Sequence, residues 1–203
     1  MKLRASSEEV VGLLVTTGYV VAVSWYCYLV ALGKVSTVLA TWLLFLLTVT
    51  AGYISYLRSP GKRRTWTQNV CNMADLLAIA GILLFVVAFG AYREVGFRAF
   101  DGYIFLVWVG ILLTWLLTKN ARVANIAFNL LLVIAYVPLV QHLASSSTHS
   151  EPYFTWAVIF IASIAGLYAP LKNRDDLGAV YASRSVLSTG VVLLLMLRID
   201  FAL

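Results

Sequence analysis

The chain has 203 residues, 62% of them hydrophobic and 12% charged, with a mean hydropathy of +0.90 and a formal charge of +6. A soluble domain carries roughly 25% charged residues, so this composition excludes one and requires an integral membrane protein. The connections between apolar runs are too short for an extramembrane domain, and the positive charge fits basic loops on anionic lipid headgroups better than it fits nucleic acid.

A spanning helix needs about 20 mostly apolar residues. On that measure the spans predicted are 8–31, 35–57, 70–92, 102–118, 121–143, 153–171 and 179–199. The first nine residues carry no cleavage-site pattern, so the first run is expected to be retained as a helix. Ser6 with Glu9 three residues on is a capping-box pair that sets its start. Gly33-Lys34 makes a tight turn into the second span, and Ser59-Pro60-Gly61 ends that span. The fourth span is short and passes through Lys119-Asn120 almost directly into the fifth. Pro138 is expected to kink the fifth span. The uncharged polar segment 144–150 lies between the fifth and sixth.

A weak repeat organises these spans. Thr41-Trp42 and Ala51-Gly52 recur with the same spacing as Thr155-Trp156 and Ala165-Gly166, and Leu57-Arg58 is matched by Leu171-Lys172. The expectation is an all-α polytopic membrane protein of seven transmembrane helices, arranged as two parallel three-helix bundles. Residues 1–100 and 120–203 form the bundles and 101–119 the linker helix between them. Parallel repeats about an axis normal to the membrane are a known transporter plan. Of the basic residues counted by side, ten lie on the side of the N-terminus and its alternate loops (Lys2, Arg4, Arg58, Lys62, Arg63, Arg64, Lys119, Arg122, Lys172, Arg174). Four lie opposite (Lys34, Arg93, Arg98, Arg198). That bias predicts a cytoplasmic N-terminus in the cell (inner) membrane.

Aligning the repeats at Gly81 and Gly190 sets Asp75 of the third span opposite Arg184 of the seventh. A charge at a helix centre costs about 2.5–3.5 kcal/mol on insertion scales, so each needs a reason to be there. Three readings stay open: a structural bridge between repeats, direct contact with a solute, and Arg184 reaching lipid phosphate. Read as close to a helix N-terminus, Arg184 opposes the helix dipole and needs an anion from Asp75, Asp175, Asp176 or a ligand. Polar residues recur at helical spacing around the pair: Gln68, Asn72 and Asp75; Asn125, Asn129 and Tyr136; Tyr181, Arg184 or Ser185, and Ser188. These stripes either line a polar cavity or join helices by hydrogen bonds. Trp42 and Trp156, related by the repeat, are candidates for stacking on a planar or sugar-like solute, or for packing and lipid contact. Trp66 reads as an interfacial anchor.

The candidate substrate-binding residues are therefore Asn72, Asp75, Asn125, Asn129, Tyr181, Arg184, Trp42 and Trp156. No Ser–His pair, paired acids or HExxH motif marks an enzyme, and the seventh span has no lysine for a retinal Schiff base. Cys27 and Cys71 suggest neither a disulfide nor a metal site, and His142 and His149 are isolated. No cofactor is expected. The expected partners are a small polar solute and membrane lipids, with a homo-oligomer allowed.

The three-one-three order, the helix lengths and the size resemble the SWEET and PQ-loop superfamily, with its vitamin transporters of the nicotinamide-riboside type. The stretch from Asp101 through Pro138 to Ser150-Glu151-Pro152 looks most like small prokaryotic PQ-loop-like proteins. The resemblance implies solute contact by polar residues on the third helix of each bundle, here Asn72 or Asp75 and Tyr181 or Arg184. The chain departs from the pattern in having no Pro-Gln dipeptide and no proline in its first span, and its charge bias is opposite to that of SWEET sugar carriers. The function expected is transport of a small polar solute by alternating access between the bundles. The rival expectation is a non-transporting scaffold or partner subunit of a membrane complex.

Overall fold

The computed structural model describes residues 7–35, 39–60, 66–90, 99–146 and 151–201. Seven helices in it are long and apolar enough to cross a membrane: α1 (Ser7–Ala31), α2 (Leu39–Arg58), α3 (Val70–Ala88), α4 (Ala99–Thr118), α5 (Ala121–Ser145), α6 (Tyr153–Asn173) and α7 (Asp176–Phe201). There is no strand among the described residues. The chain is an all-α, seven-helix polytopic membrane protein. A short 3-10 turn at Trp66–Asn69 leads into α3.

The turns follow from their residues. Gly33 takes φ +67, a left-handed value that glycine adopts without a Cβ penalty, and it closes α1. Asn120 caps α5 by accepting the amide of Val123 at 3.2 Å. The kink expected from Pro138 falls two residues earlier, where the helical pattern of α5 breaks at Tyr136. A proline withholds its own N–H and its ring crowds the carbonyl four residues back, so the ladder opens on its N-terminal side. α6 breaks in the same way at Leu167, ahead of Pro170.

Four boundaries differ from expectation by three residues or more. α2 starts at Leu39 and not at 35, α3 stops at Ala88, α4 starts at Ala99, and α7 starts at Asp176. The last shift matters, because Arg184 then lies eight residues inside α7, about 12 Å from its start. End-of-helix dipole effects fade within the first turn, so the dipole no longer opposes it there. The Ser6 cap and His149 lie outside the described residues.

α3 packs against both α1 and α2, and α7 packs against both α5 and α6. α1 lies along α6, and α2 along α5. α4 is peripheral, resting on α5 and α2 and burying only Asp101 and Ile104. The core beneath these contacts joins Val15, Tyr19, Val49, Val70, Ala74, Leu132, Ala162 and Tyr181. Small residues bring the backbones close: a Cβ on Gly18 would stand 3.3 Å from that of Ala162, and one on Gly166 would stand 2.0 Å from the Cys71 sulfur. With lipid on the outside, such close packing is what holds helices together.

The face carrying Ser7 is tied by polar contacts between distant parts of the chain. Tyr56 of α2 donates to Asp175 at 2.5 Å, Lys172 of α6 pairs with Glu8 of α1 at 3.2 Å, and Arg122 pairs with Asp176. The exposed pairs among these contribute little energy singly but fix register.

Candidate functional site

α3 and α7 present their charged residues to each other. The Arg184 Nη2 lies 3.2 Å from the Asp75 Oδ2, and the Arg184 side chain is only 5% exposed. Tyr181, one turn earlier on α7, donates its hydroxyl to the same carboxylate oxygen at 2.7 Å. The guanidinium lies over the Tyr181 ring at 4.4 Å from its centroid, a cation–π arrangement that strengthens away from water. Arg184 is thus held by an anion and a π face inside the protein. Asp175 and Asp176 serve other partners.

The neighbouring stripes join this centre in different ways. Asn72, a turn below Asp75, is fully buried, and neither amide atom has a hydrogen-bond partner among the protein's own groups. Asn125 turns to α2, donating to the Gly52 carbonyl at 2.8 Å and the Ser55 hydroxyl at 3.2 Å. Asn129 donates back to the Asn125 carbonyl at 2.9 Å. On Asn125 the hydrogen-bonding reading of the stripe wins over the cavity reading. The same buried Gly52 carbonyl also accepts from the Ser55 hydroxyl at 2.7 Å.

Trp42 and Trp156 belong to one aromatic series. Trp42 meets Phe45 at 6.3 Å, Phe45 meets Tyr136 edge-on at 5.8 Å, and Tyr136 meets Trp156 edge-on at 6.0 Å. Edge-to-face contacts at these spacings are favourable beyond simple burial. The two indoles therefore belong to a wall that runs from α2 through α5 to α6.

Sequence reasoning passed over three polar groups. Tyr19 of α1 meets the Ser163 hydroxyl of α6 at 3.5 Å, which meets Ser185 of α7 at 2.8 Å, so one network crosses three helices. Asp101 is buried in the first turn of α4 and accepts from Thr41 at 3.3 Å. Glu151 accepts from the Trp156 indole at 3.1 Å. A signal existed for the second, since Thr41 is a residue of the repeat.

No family model, curated protein or solved structure matches the chain.

A groove of about 620 Å³ runs between α5 and α7, with Asn129, Tyr136, Arg184 and Ser188 among its lining residues. Its walls are mainly apolar, and Ile126, Leu130, Leu187 and Val191 on them are exposed, so it opens outward. It is not a polar cavity enclosed by the three stripes. No group of three or more His, Cys, Asp or Glu able to hold a metal occurs among the described residues.

Proposed function

We propose that the chain is a membrane carrier of a small polar solute, with the Asp75–Arg184–Tyr181 cluster as its centre and the two halves, 1–100 and 120–203, rocking about it. The observation that carries this reading is the buried ion pair between α3 and α7, each of which packs on both other helices of its half. Buried charges within membrane spans are expensive, and where they persist they commonly mark a solute or ion pathway. Asn72 supports the reading, because a fully buried amide without protein partners can bond a polar guest. Resemblance to SWEET and PQ-loop carriers supports the same plan, and the loop charges support a cytoplasmic N-terminus.

The test is uptake by proteoliposomes over a broad panel of small polar solutes. Asp75→Asn and Arg184→Ala should each abolish uptake while the variants remain folded by circular dichroism and size-exclusion chromatography. A wild-type protein that binds and moves nothing in the panel defeats the carrier reading.

A scaffold is the second reading, favoured by α4, whose surface is almost wholly turned outward. Affinity purification from membranes would then recover one stoichiometric partner helix protein that cross-links to α4.

A further inference from the structure

Glu151 stands immediately before α6, at the end of the molecule that carries Ala31 of α1, and next to the buried Pro152. Its Oε2 accepts the Trp156 Nε1–H at 3.1 Å. From α1 the Tyr26 phenol and from α5 the Tyr136 phenol lie within its electrostatic reach. Among the described residues at this end, Lys34 just after α1 is exposed and Asp101 opens α4. Arg198 of α7 donates to the carbonyls of Leu143 and Ser146 at 3.1 Å, while His142 of α5 and Asp200 of α7 are exposed. Cys27 of α1 is half-buried beside Tyr26. The hydrogen bond to the carboxylate thus comes from an indole, and no cation is among the partners named. Trp156 in turn packs edge-on against Tyr136, which lines the same groove as Arg184.

We propose that Glu151 is a proton-binding site of the carrier, whose protonation alters the hold on Trp156 and so the aromatic wall between the halves. For its purpose the inference rests on the carrier reading; its test does not. The step is simple. A proton from water at that face forms an O–H on one carboxylate oxygen, and the group becomes a neutral carboxyl. The charge that the indole N–H had stabilised is removed, so the bond from Trp156 weakens from a charge-assisted to a neutral one. Partial burial beside the Trp156 indole favours the neutral form and pushes the carboxyl up to about 7, the indole bond acting in the opposite sense. The proton is thus exchanged near neutral pH, where a carboxylate in water would stay ionised. A solute carrier driven by a proton gradient needs such a group on the path between one face and its centre.

The experiment is a pH titration of tryptophan emission from the purified full-length chain in lipid nanodiscs. A transition centred at about pH 7 is expected. Glu151→Gln should abolish it, and Trp156→Phe should remove most of its amplitude. His142→Gln and His149→Gln, which remove the two imidazoles of the chain, should leave it in place. Glu151→Asp, which keeps an acid should the glutamine variant not fold, should show the transition at a displaced midpoint. The proposal is overturned by a wild-type protein with no transition, by its survival in Glu151→Gln, by its absence from Glu151→Asp, or by its loss with either histidine. Because no solute is needed, a clean titration beside failed uptake would defeat the carrier reading alone, and the reverse result would defeat this one alone.

Discussion

The carboxylate of Asp75 receives both the Arg184 guanidinium at 3.2 Å and the Tyr181 hydroxyl at 2.7 Å on a single oxygen. Removing the cation therefore does more than delete one bond, because it leaves an anion inside the helix bundle. Breaking a buried pair from one side costs about 3–5 kcal/mol. Arg184→Ala should lower the melting temperature in detergent strongly. Asp75→Asn should lower it too, since it leaves the Arg184 guanidinium, only 5% exposed, without its anion. The double variant should be milder than the sum of the two. Thermal unfolding of the four proteins completes the cycle.

Gly166 and Gly52 are equivalent in the repeat but not in their surroundings. A Cβ at Gly166 would collide with the Cys71 sulfur at 2.0 Å, whereas one at Gly52 would touch the Phe128 Cβ at an ordinary 3.8 Å. Gly166→Ala should destabilise by about 1–3 kcal/mol, as overpacking does, and Gly52→Ala by less. Cys71→Ala should rescue Gly166→Ala, which chemical denaturation in micelles would register.

Stability should also depend on pH through Glu151. Its folded value, about 7, lies above the ordinary 4.5, so the native chain holds more protons than the unfolded one between those limits. Stability is then full below about 4.5 and falls as pH rises through about 7. Glu151→Gln should flatten the melting temperature across that window. A wild-type profile that rises instead would contradict the sign.

The hydrogen bond from Tyr56 to Asp175 closes the face where α3 begins, and Cys71 lies just inside it, buried. Tyr56→Phe should loosen that end. In a Cys27→Ser background, which leaves Cys71 as the one thiol of the chain, maleimide should label the phenylalanine variant several-fold faster than its parent. Equal rates would show that the bond holds nothing shut.

Much of this arrangement could be read from the chain before its structure. Span positions follow from hydropathy, which is a property of each segment alone. Alignment of the repeats set Asp75 opposite Arg184 but left a bridge, a solute contact and lipid phosphate all open. What periodicity withholds is the identity of the neighbour. It placed Asn125 and Asn129 on one face of α5 but could not say that this face meets the Gly52 carbonyl instead of a cavity. Asp101 escaped notice because α4 begins earlier than its hydropathy suggests, which draws a loop acid into a buried first turn. Trp42 and Trp156 were singled out as a pair, yet their connection runs through Phe45 and Tyr136, which no repeat links.

The packing of α1 along α6 carries a consequence for biogenesis. The hydroxyl of Tyr19 meets Ser163, a residue 144 positions later in the chain. During synthesis α1 enters the lipid long before that partner has left the ribosome. Its small-residue face at Gly18 must wait, uncovered, while four further helices are inserted. A nascent chain stalled before α6 would then expose this face to whatever guards unfinished membrane proteins, and release should depend on the arrival of Ala162 and Ser163.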